Sequence, residues 1–277
     1  MNHLNHFKKT LKNQPFYWFS LSFLTLIIFL SLIAPLIPID PNQTNITNMN
    51  AAPNWTNFFG TDQLGRDYFM RVLYGGRVSL MVGVLAMLTS TLIGTTVGLV
   101  AGFFGGMIDN LLMRIVDVLS SIPWLVLVIV LSALLSPGLL TIIIVIGCFS
   151  WMNIARLVRA ETLSVKARDY VDYATFLGIK QSKIIWRHIL PLVLPILVVA
   201  ATANISGAIM TESALSFLGM GIQPPVASWG NLLQNGQSAL QRAPHMALIP
   251  GFLIALTIYS FNALGDLFKA IIQREDA

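Results

Sequence analysis

The residue types that most often carry catalysis or bind metals are few in this sequence and far apart. The chain has one cysteine and four histidines, at His3, His6, Cys148, His188 and His245. No cluster of them has the spacing of a metal site. No segment matches the G-x-x-x-x-G-K-[ST] loop that cradles nucleotide phosphates. The sequence therefore predicts neither an enzyme nor a metal protein, and any ATP hydrolysis would need a partner chain.

Three carboxylates lie in or beside apolar segments, where ionisable residues are functional candidates by default. We expect Asp117 to pair with Arg114, and Asp266 with Lys269, because each basic residue lies three positions away on a helix. Glu212 is expected at the outer end of a span, with a structural role. These carboxylates do not form the mid-membrane array that a proton relay needs, so an ion-coupled transporter is only a distant alternative.

The composition explains why charged groups are scarce. Of the 277 residues, 55% are hydrophobic and 10% are charged, whereas soluble domains average about 25% charged residues. The sequence therefore predicts an all-α, polytopic helix bundle in a membrane. A spanning helix needs roughly 20 apolar residues. Six segments qualify, at about 17–39, 79–103, 111–135, 138–158, 191–212 and 246–270, and the first of them lacks a signal-peptide cleavage site.

The distribution of Lys and Arg predicts the orientation of these spans. If the N-terminus is cytoplasmic, 13 of the 17 basic residues lie inside and four lie outside. Cytoplasmic loops carry an excess of Lys and Arg, so both termini are predicted to be cytoplasmic. The inner residues are Lys8, Lys9, Lys12, Arg114, Arg156, Arg159, Lys166, Arg168, Lys180, Lys183, Arg187, Lys269 and Arg274. The outer ones are Arg66, Arg71, Arg77 and Arg242.

Small and polar residues within the spans have two interpretations each. Gly94, Gly98 and Gly102 recur at four-residue spacing, which lets helix backbones approach closely in lipid. We interpret them as a helix-packing stripe, with a pore-lining role as the alternative. Four polar residues are interpreted as hydrogen-bonding between helices, with lining of a transport path as the alternative. They are Asn153, Thr202, Asn204 and Thr211.

The only long inner loop, residues 159–191, is the most charged part of the chain. Residues 160–177 are predicted to form an amphipathic helix that ends at Gly178, followed by a short helix to Ile189 and by Pro191 in the next span. Such a basic helix–Gly–helix could dock a protein or anchor to anionic lipid, and composition does not separate the two. The apolar positions of the first helix are Leu163, Ala167, Tyr170, Ala174 and Leu177.

The same loop resembles the EAA loop of ATP-binding-cassette (ABC) importer permeases. That pattern runs Glu-Ala-Ala, three residues, Gly, nine residues, Ile, one residue, Leu-Pro. The matching positions are Ala174, Gly178, Leu190 and Pro191, and the departing ones are Asp172, Tyr173 and His188. Residues 59–67, 74–80 and 216–230 (SFLGMGIQPPVASWG) also resemble the second permease subunit of the peptide/nickel branch. The resemblance covers roughly residues 10–275.

This resemblance implies a type I ABC importer permease fold in a prokaryotic inner membrane. It implies a homologous second permease, two cytoplasmic ATPase subunits that bind ATP and Mg²⁺, and an extracytoplasmic substrate-binding protein. The seven EAA positions are implied to form the coupling loop that sits in a groove of an ATPase subunit. No cofactor is expected on this chain, and nucleic acid is not an expected partner. The loops at 40–78 and 213–245 are expected to face the binding protein.

The resemblance also sets the expected organisation and cargo. Residues 1–78 are expected to hold an N-terminal tail, the first span and an extracytoplasmic loop. Residues 79–277 are expected to form the core permease domain, with five spans and the coupling loop. The implied cargo is a dipeptide or oligopeptide, with nickel or a metal chelate as the alternative, and no substrate-binding residue is assigned.

Overall fold

A computed structural model describes residues 15–136 and 138–273 of the chain. Within them the chain is helical, with no strand beyond one isolated bridge between Thr61 and Asp67, which confirms the predicted all-α fold. The predicted inner residues Lys8, Lys9, Lys12 and Arg274 lie outside this description. The helices are α1 (Pro15–Ile33), α2 (Tyr68–Phe104), α3 (Gly106–Ser120), α4 (Trp124–Leu134), α5 (Leu139–Phe149), α6 (Trp151–Lys166), α7 (Asp169–Phe176), α8 (Gln181–Ile184), α9 (Leu190–Phe217), α10 (Trp229–Ser238) and α11 (His245–Gln273).

Five of the six predicted spans are confirmed as helical segments long and apolar enough to cross a membrane. They are Pro15–Leu36, Tyr68–Phe104, Leu139–Lys166, Gln181–Phe217 and His245–Ile271, with mean hydropathy from 1.7 to 2.3. Three are clearly longer than predicted, because α2 begins at Tyr68 rather than at residue 79, because α6 extends α5 and because α8 runs into α9. Only residues 167–180 of the predicted inner loop therefore lie outside the long helices.

The remaining predicted span, at 111–135, is not one straight helix. α3 and α4 meet at an angle of 80°, with residues 121–123 between them. Pro123 has no N–H to donate and disfavours helical backbone at the residue before it. The break therefore occurs where the sequence removes a helical hydrogen bond.

Antiparallel packing of α9 and α11 defines two ends of the bundle. Ser206 Oγ of α9 donates to Ile258 O of α11 at 3.4 Å, and a Cβ on Gly265 would lie 2.5 Å from Thr202 Oγ1. Tyr17 of α1 packs against the last turns of α11. The first residues of α1 and the last residues of α11 therefore lie at the same end of the bundle as α7. We call this the α7 end. The opposite end, which carries α10, is the α10 end.

The glycine stripe of α2 lies directly against α6. A Cβ on Gly94 would lie 2.7 Å from Ile154 Cβ, and one on Gly98 would lie 2.6 Å from Ala155 O. A Cβ on Gly102 would likewise lie 2.7 Å from Thr162 Cβ. Side chains at these positions would push the two helices apart, so the stripe allows backbone contact of the kind common in lipid.

Candidate functional site

The predicted amphipathic helix over residues 160–177 is two helices in the structure, so that prediction was wrong. α6 ends at Lys166, and α7 begins at Asp169 after a turn. Lys166 Nζ donates a 2.6 Å hydrogen bond to Phe103 O, and its ammonium lies over the Phe103 ring. Free carbonyls at a helix C-terminus favour a cation. This contact therefore ties the end of α6 to the end of α2.

The turn also changes which face of the loop is buried. α7 buries Val171 and Ala174 in an apolar cluster with Val165, Ile184 and Ile189. Side chains three positions apart lie on one helix face, so this pair seats α7 on the bundle. Of the predicted apolar positions only Ala174 is buried, and the exposed ones are Leu163, Ala167, Tyr170 and Leu177.

The predicted helix stop at Gly178 is confirmed. Gly178 adopts φ 69°, and its N–H donates to Thr175 O at 3.0 Å while Ile179 N–H donates to Ala174 O at 3.2 Å. This pair of bonds is the Schellman motif, which places a left-handed residue after a helix and suits glycine. The motif fixes the direction in which the chain leaves α7.

The predicted second helix, Lys180 to Ile189, is not a separate element. α8 passes through a π-helical turn, Ile185–Ile189, directly into α9. Pro191 lies in the first turn of α9, where a missing N–H costs little. α7 is thus attached through one tight turn to a continuous helical rod.

The outer face of α7 is uncovered and strongly apolar. Tyr173, Phe176 and Leu177 lie at three- and four-residue spacing and are 64%, 87% and 59% exposed. Trp186, on the π-helical turn, is 71% exposed. We name these four residues the α7 patch. Exposed apolar clusters rimmed by polar residues mark interaction sites.

The seven predicted coupling residues lie along one stretch from α7 to the start of α9, and they differ in burial. Asp172, Tyr173, Gly178 and Pro191 are exposed, His188 and Leu190 are half-buried, and Ala174 is buried. Sequence reasoning missed Phe176, Leu177 and Trp186 as members of the exposed face. The sequence signal that could have identified them is the presence of large apolar side chains within a charged segment.

Two ion pairs join α6 to α3. Arg159 donates from Nε and Nη2 to the Asp109 carboxylate at 2.5 and 2.6 Å. Arg156 donates to Asp117 Oδ1 at 3.0 Å. The predicted pairing of Asp117 with Arg114 was therefore wrong, because a residue 39 positions away reaches the same carboxylate.

The predicted pairing of Asp266 with Lys269 is also absent. Both side chains are exposed, and no ion pair between them is present in the described part of the chain. Exposed charges in water gain little from pairing, so nothing holds the two together.

A cavity of about 720 Å³ lies beside the break between α3 and α4. Its walls come from that break, from the α5–α6 junction and from one face of α9. A Cβ built on Gly207 of α9 would meet nothing within 4 Å. Irregular backbone at membrane depth is tolerated where it lines a cavity. The polar lining residues are Ser120, Ser121, Ser150, Asn153, Asn204 and Thr211, together with Arg156.

Three of the four polar residues predicted to bond between helices bond within their own helix instead. Thr202 donates to Val199 O, Asn204 to Ala200 O and Thr211 to Gly207 O, at 2.8–2.9 Å. That interpretation was therefore wrong for these residues. Asn153, Asn204 and Thr211 line the cavity, and lining of a transport path stays a prediction for them. The Ser-Ser-Ile-Pro break that forms the cavity was missed.

Two distant blocks of sequence fold together at the α10 end. Gln63 donates to Asn235 O at 3.0 Å and to Ser238 Oγ at 2.7 Å. Tyr68 Oη donates to Met246 O at 2.5 Å. We name residues 40–67 and 218–244 the α10 lobe. A polar groove of about 770 Å³ runs along it, lined by Asn50, Gln63, Gln237, Ser238, Gln241 and Arg242.

The described residues form a bundle with five or six candidate spans, a cavity open on one side and an uncovered apolar helix at one end, which are features of a membrane transport permease. Comparisons with known families give the same class. Residues 94–275 match the family described as "Binding-protein-dependent transport system inner membrane component". Residues 6–53 match the "N-terminal TM domain of oligopeptide transport permease C". The chain belongs to the family of inner-membrane components of binding-protein-dependent transport systems, which are multi-pass permeases of bacterial ABC transporters.

Individual relatives are similar over most of their length. The chain is 39% identical to the oligopeptide transport system permease protein OppC of Haemophilus influenzae, over 93% of this chain and 84% of that one. It is 40% identical to the dipeptide transport system permease protein DppC of Bacillus subtilis, over 88% and 77%. The inward-facing MetNI methionine ABC transporter shares the fold, with a TM-score of 0.60 and 20% identity over 74% of this chain and 97% of that one. The predicted type I permease fold is therefore confirmed.

Proposed function

We propose that this chain is one of two permease subunits of an ATP-driven importer of dipeptides or oligopeptides. The named relatives that support this cargo are peptide permeases at 39–40% identity. Nickel or a metal chelate, the alternative cargo, is not favoured by these relatives. The permease itself is not the enzyme, and ATP and Mg²⁺ would be held by two separate ATPase subunits. This chain would need no cofactor of its own.

The α7 patch carries the proposal. The opposite face of α7 is fixed on the bundle by Val171 and Ala174, and its C-terminus is fixed by the turn at Gly178. A rigid helix with an uncovered aromatic face suits a groove in a partner protein, since aromatic anchors dominate such interfaces. We assign that groove to a cytoplasmic ATPase subunit. The coupling element would be Asp172, Tyr173, Ala174, Gly178, His188, Leu190 and Pro191.

Anchoring of α7 to lipid is the competing interpretation of the same segment. Exposed basic residues lie close to the α7 patch in the sequence, at Arg168, Lys180, Lys183 and Arg187, and anionic headgroups attract such groups. Protein docking is favoured because α7 is held in place by its buried inner face and by the turn at Gly178, so its aromatic side chains do not stand on a mobile basic tail. Crosslinking from Phe176 would distinguish an ATPase subunit from lipid.

The orientation follows from the two ends of the bundle. The described starts and ends of the chain lie at the α7 end, together with most of the basic residues, so both termini would be cytoplasmic. The α10 lobe would then be extracytoplasmic. Its polar groove, with Arg242 and several amide side chains, would face the substrate-binding protein. Non-obligate interfaces are no more apolar than the rest of a protein surface, so a polar groove suits such an interface.

The cavity would be this chain's share of the translocation path, closed on its open side by the second permease. Its wall presents amides and hydroxyls, which both donate and accept hydrogen bonds as a peptide main chain does. The helix-packing stripe Gly94, Gly98 and Gly102 would hold α2 and α6 together behind this wall.

Uptake into proteoliposomes tests the proposed function. The vesicles would contain this chain with the permease and ATPase subunits that copurify with it, supplied with the binding protein. We expect uptake of labelled peptide that requires both ATP and binding protein and that excess nickel does not inhibit. Uptake by this chain alone along an ion gradient would overturn the proposal.

A further inference from the structure

Glu212 is a fully buried carboxyl group whose hydrogen-bond donors are serines. It lies in α9, towards the α10 end, and is 0% exposed. Ser79 of α2 donates to Oε2 at 3.0 Å, and Ser216 donates to Oε1 at 2.8 Å. Ser213 lies 3.5 Å from Oε2. No cation pairs with this carboxyl group in the described part of the chain.

Each of the two serines that donate to Glu212 also accepts a backbone N–H. Trp229 N–H donates to Ser79 Oγ at 3.1 Å, and Ile222 N–H donates to Ser216 Oγ at 3.1 Å. Each hydroxyl has one hydrogen and two lone pairs, so it can accept the backbone N–H and still donate its hydrogen to Glu212. Two relays result, each running from a backbone N–H through a serine to one carboxylate oxygen. Both relays are complete only with a side chain that accepts at both ends.

The relays attach the α10 lobe to two long helices. Trp229 is the first residue of α10, and Ile222 lies in the loop before it. Asn231 Nδ2 donates to Ile222 O and Val226 O, which makes that loop one unit with α10. Trp229 Nε1 also donates to Val72 O of α2 at 3.0 Å. Glu212 therefore joins α9, α2 and the α10 lobe at a single point.

The opposite end of the helical segment that carries Glu212 leads to α7. Residues Gln181–Phe217 form one continuous helical segment of 37 residues, about 55 Å long at 1.5 Å per residue. Glu212 lies near one end of this rod, and the turn at Gly178 lies just beyond the other. A displacement of the α10 lobe that reaches Glu212 is thus applied to the helix that carries α7.

We infer that Glu212 is a positioning residue that fixes the α10 lobe to α9 and α2, so that docking of the binding protein on this lobe is transmitted along α9 to the ATPase subunits. This inference rests on the proposed function. The inference assigns a role in coupling to a carboxyl group that is part of neither the cavity wall nor the α7 patch.

The test is ATP hydrolysis by the whole complex in nanodiscs, with and without peptide-loaded binding protein. Glu212→Gln places an NH₂ group against one of the two serines, so that serine can no longer donate to residue 212 and one relay is reversed. We expect basal hydrolysis close to that of the wild type, and stimulation by binding protein reduced about fivefold or more, as for loss of a typical coupling energy. Ser79→Ala should give the same pattern, since it removes one relay alone. Glu212→Asp, which keeps an acceptor at both oxygens, should restore part of the stimulation.

Ser260→Ala is the matched control. Ser260 is also a buried serine, on α11, but it has no hydrogen-bond partner in the described structure, so its variant should be stimulated like the wild type. Normal stimulation of both Glu212→Gln and Ser79→Ala would overturn the inference. If Glu212→Gln fails to assemble, Ser79→Ala decides alone. Absence of stimulation in the wild type would instead overturn the proposed function, and the inference with it.

Discussion

The Arg159 guanidinium donates two hydrogen bonds, of 2.5 and 2.6 Å, to the Asp109 carboxylate and so joins α6 to the first turn of α3. Asp109 is buried, and Arg159 lies in the half of α6 that leads to the α7 turn. Paired donors of this kind fix geometry as well as adding energy. The pair therefore holds the part of α6 that leads to α7 against α3.

Breaking this pair is expected to destabilise the protein more than breaking its exposed neighbour. Arg159→Ala leaves the Asp109 carboxylate buried without its donors, which should cost about 1–3 kcal/mol. Arg156→Ala, which breaks the exposed pair with Asp117, should cost less than about 1 kcal/mol. Thermal unfolding of the purified complex measures both. Equal shifts in Tm for the two variants would contradict the assignment.

Adding one methyl group at Gly98 is expected to separate α2 from α6. A Cβ there would lie 2.6 Å from Ala155 O, so the helices must shift, and overpacking of this kind costs about 1–3 kcal/mol. Gly98→Ala should therefore lower the Tm and reduce assembly of the complex. Gly251→Ala is the control, because its Cβ would make only an ordinary 3.6 Å contact. A stable Gly98→Ala protein would mean that α6 does not pack as described.

Removing an aromatic anchor from α7 is expected to weaken binding of the ATPase subunits. Phe176→Ala deletes the most exposed side chain of the α7 patch, and loss of a central anchor typically costs about 2 kcal/mol or more. The amount of ATPase recovered with the tagged permease reports the effect. Trp55→Ala removes an equally exposed aromatic residue, 93% exposed, from the α10 lobe. Undiminished recovery with Phe176→Ala would argue for lipid anchoring.

The sequence was most informative where a single local signal decides the structure. Apolar runs were sufficient to predict the long helices, and a glycine after a helical pattern was sufficient to predict the stop at Gly178. The break after α6 was not predictable in this way, because it depends on Lys166 reaching Phe103, 63 residues away. The same holds for Glu212, whose donor Ser79 is 133 residues distant. Neither contact leaves a pattern in its own neighbourhood.

The conformation of Gly178, rather than the space around it, is expected to matter for coupling. A Cβ at Gly178 would meet nothing within 4 Å, but φ is 69°, a region that β-branched residues rarely adopt. Gly178→Val should therefore abolish uptake while the protein remains in the membrane. Gly178→Asn should retain much of the activity, since asparagine tolerates this conformation. Asp172→Lys, which reverses a charge on the exposed side of α7, should also abolish uptake. Uptake assays with membrane abundance measured in parallel check all three, and unchanged transport in both Gly178→Val and Asp172→Lys would count against the coupling role.

Filling the cavity from α9 is expected to block transport while ATP hydrolysis remains stimulated by the binding protein. A Cβ at Gly207 would meet open space at the cavity wall, so Gly207→Leu directs a large apolar side chain into the cavity. Peptide uptake should fall about tenfold or more, because the leucine side chain would occupy the space through which the peptide is proposed to pass. Hydrolysis stimulated by the binding protein should persist, since neither the α7 patch nor the Glu212 relays are touched. Leu197→Met, a nearly isosteric change at a buried core position of the same helix, controls for general disturbance of α9 and should leave uptake close to normal. Normal uptake with Gly207→Leu would mean that peptide crosses the membrane by another route.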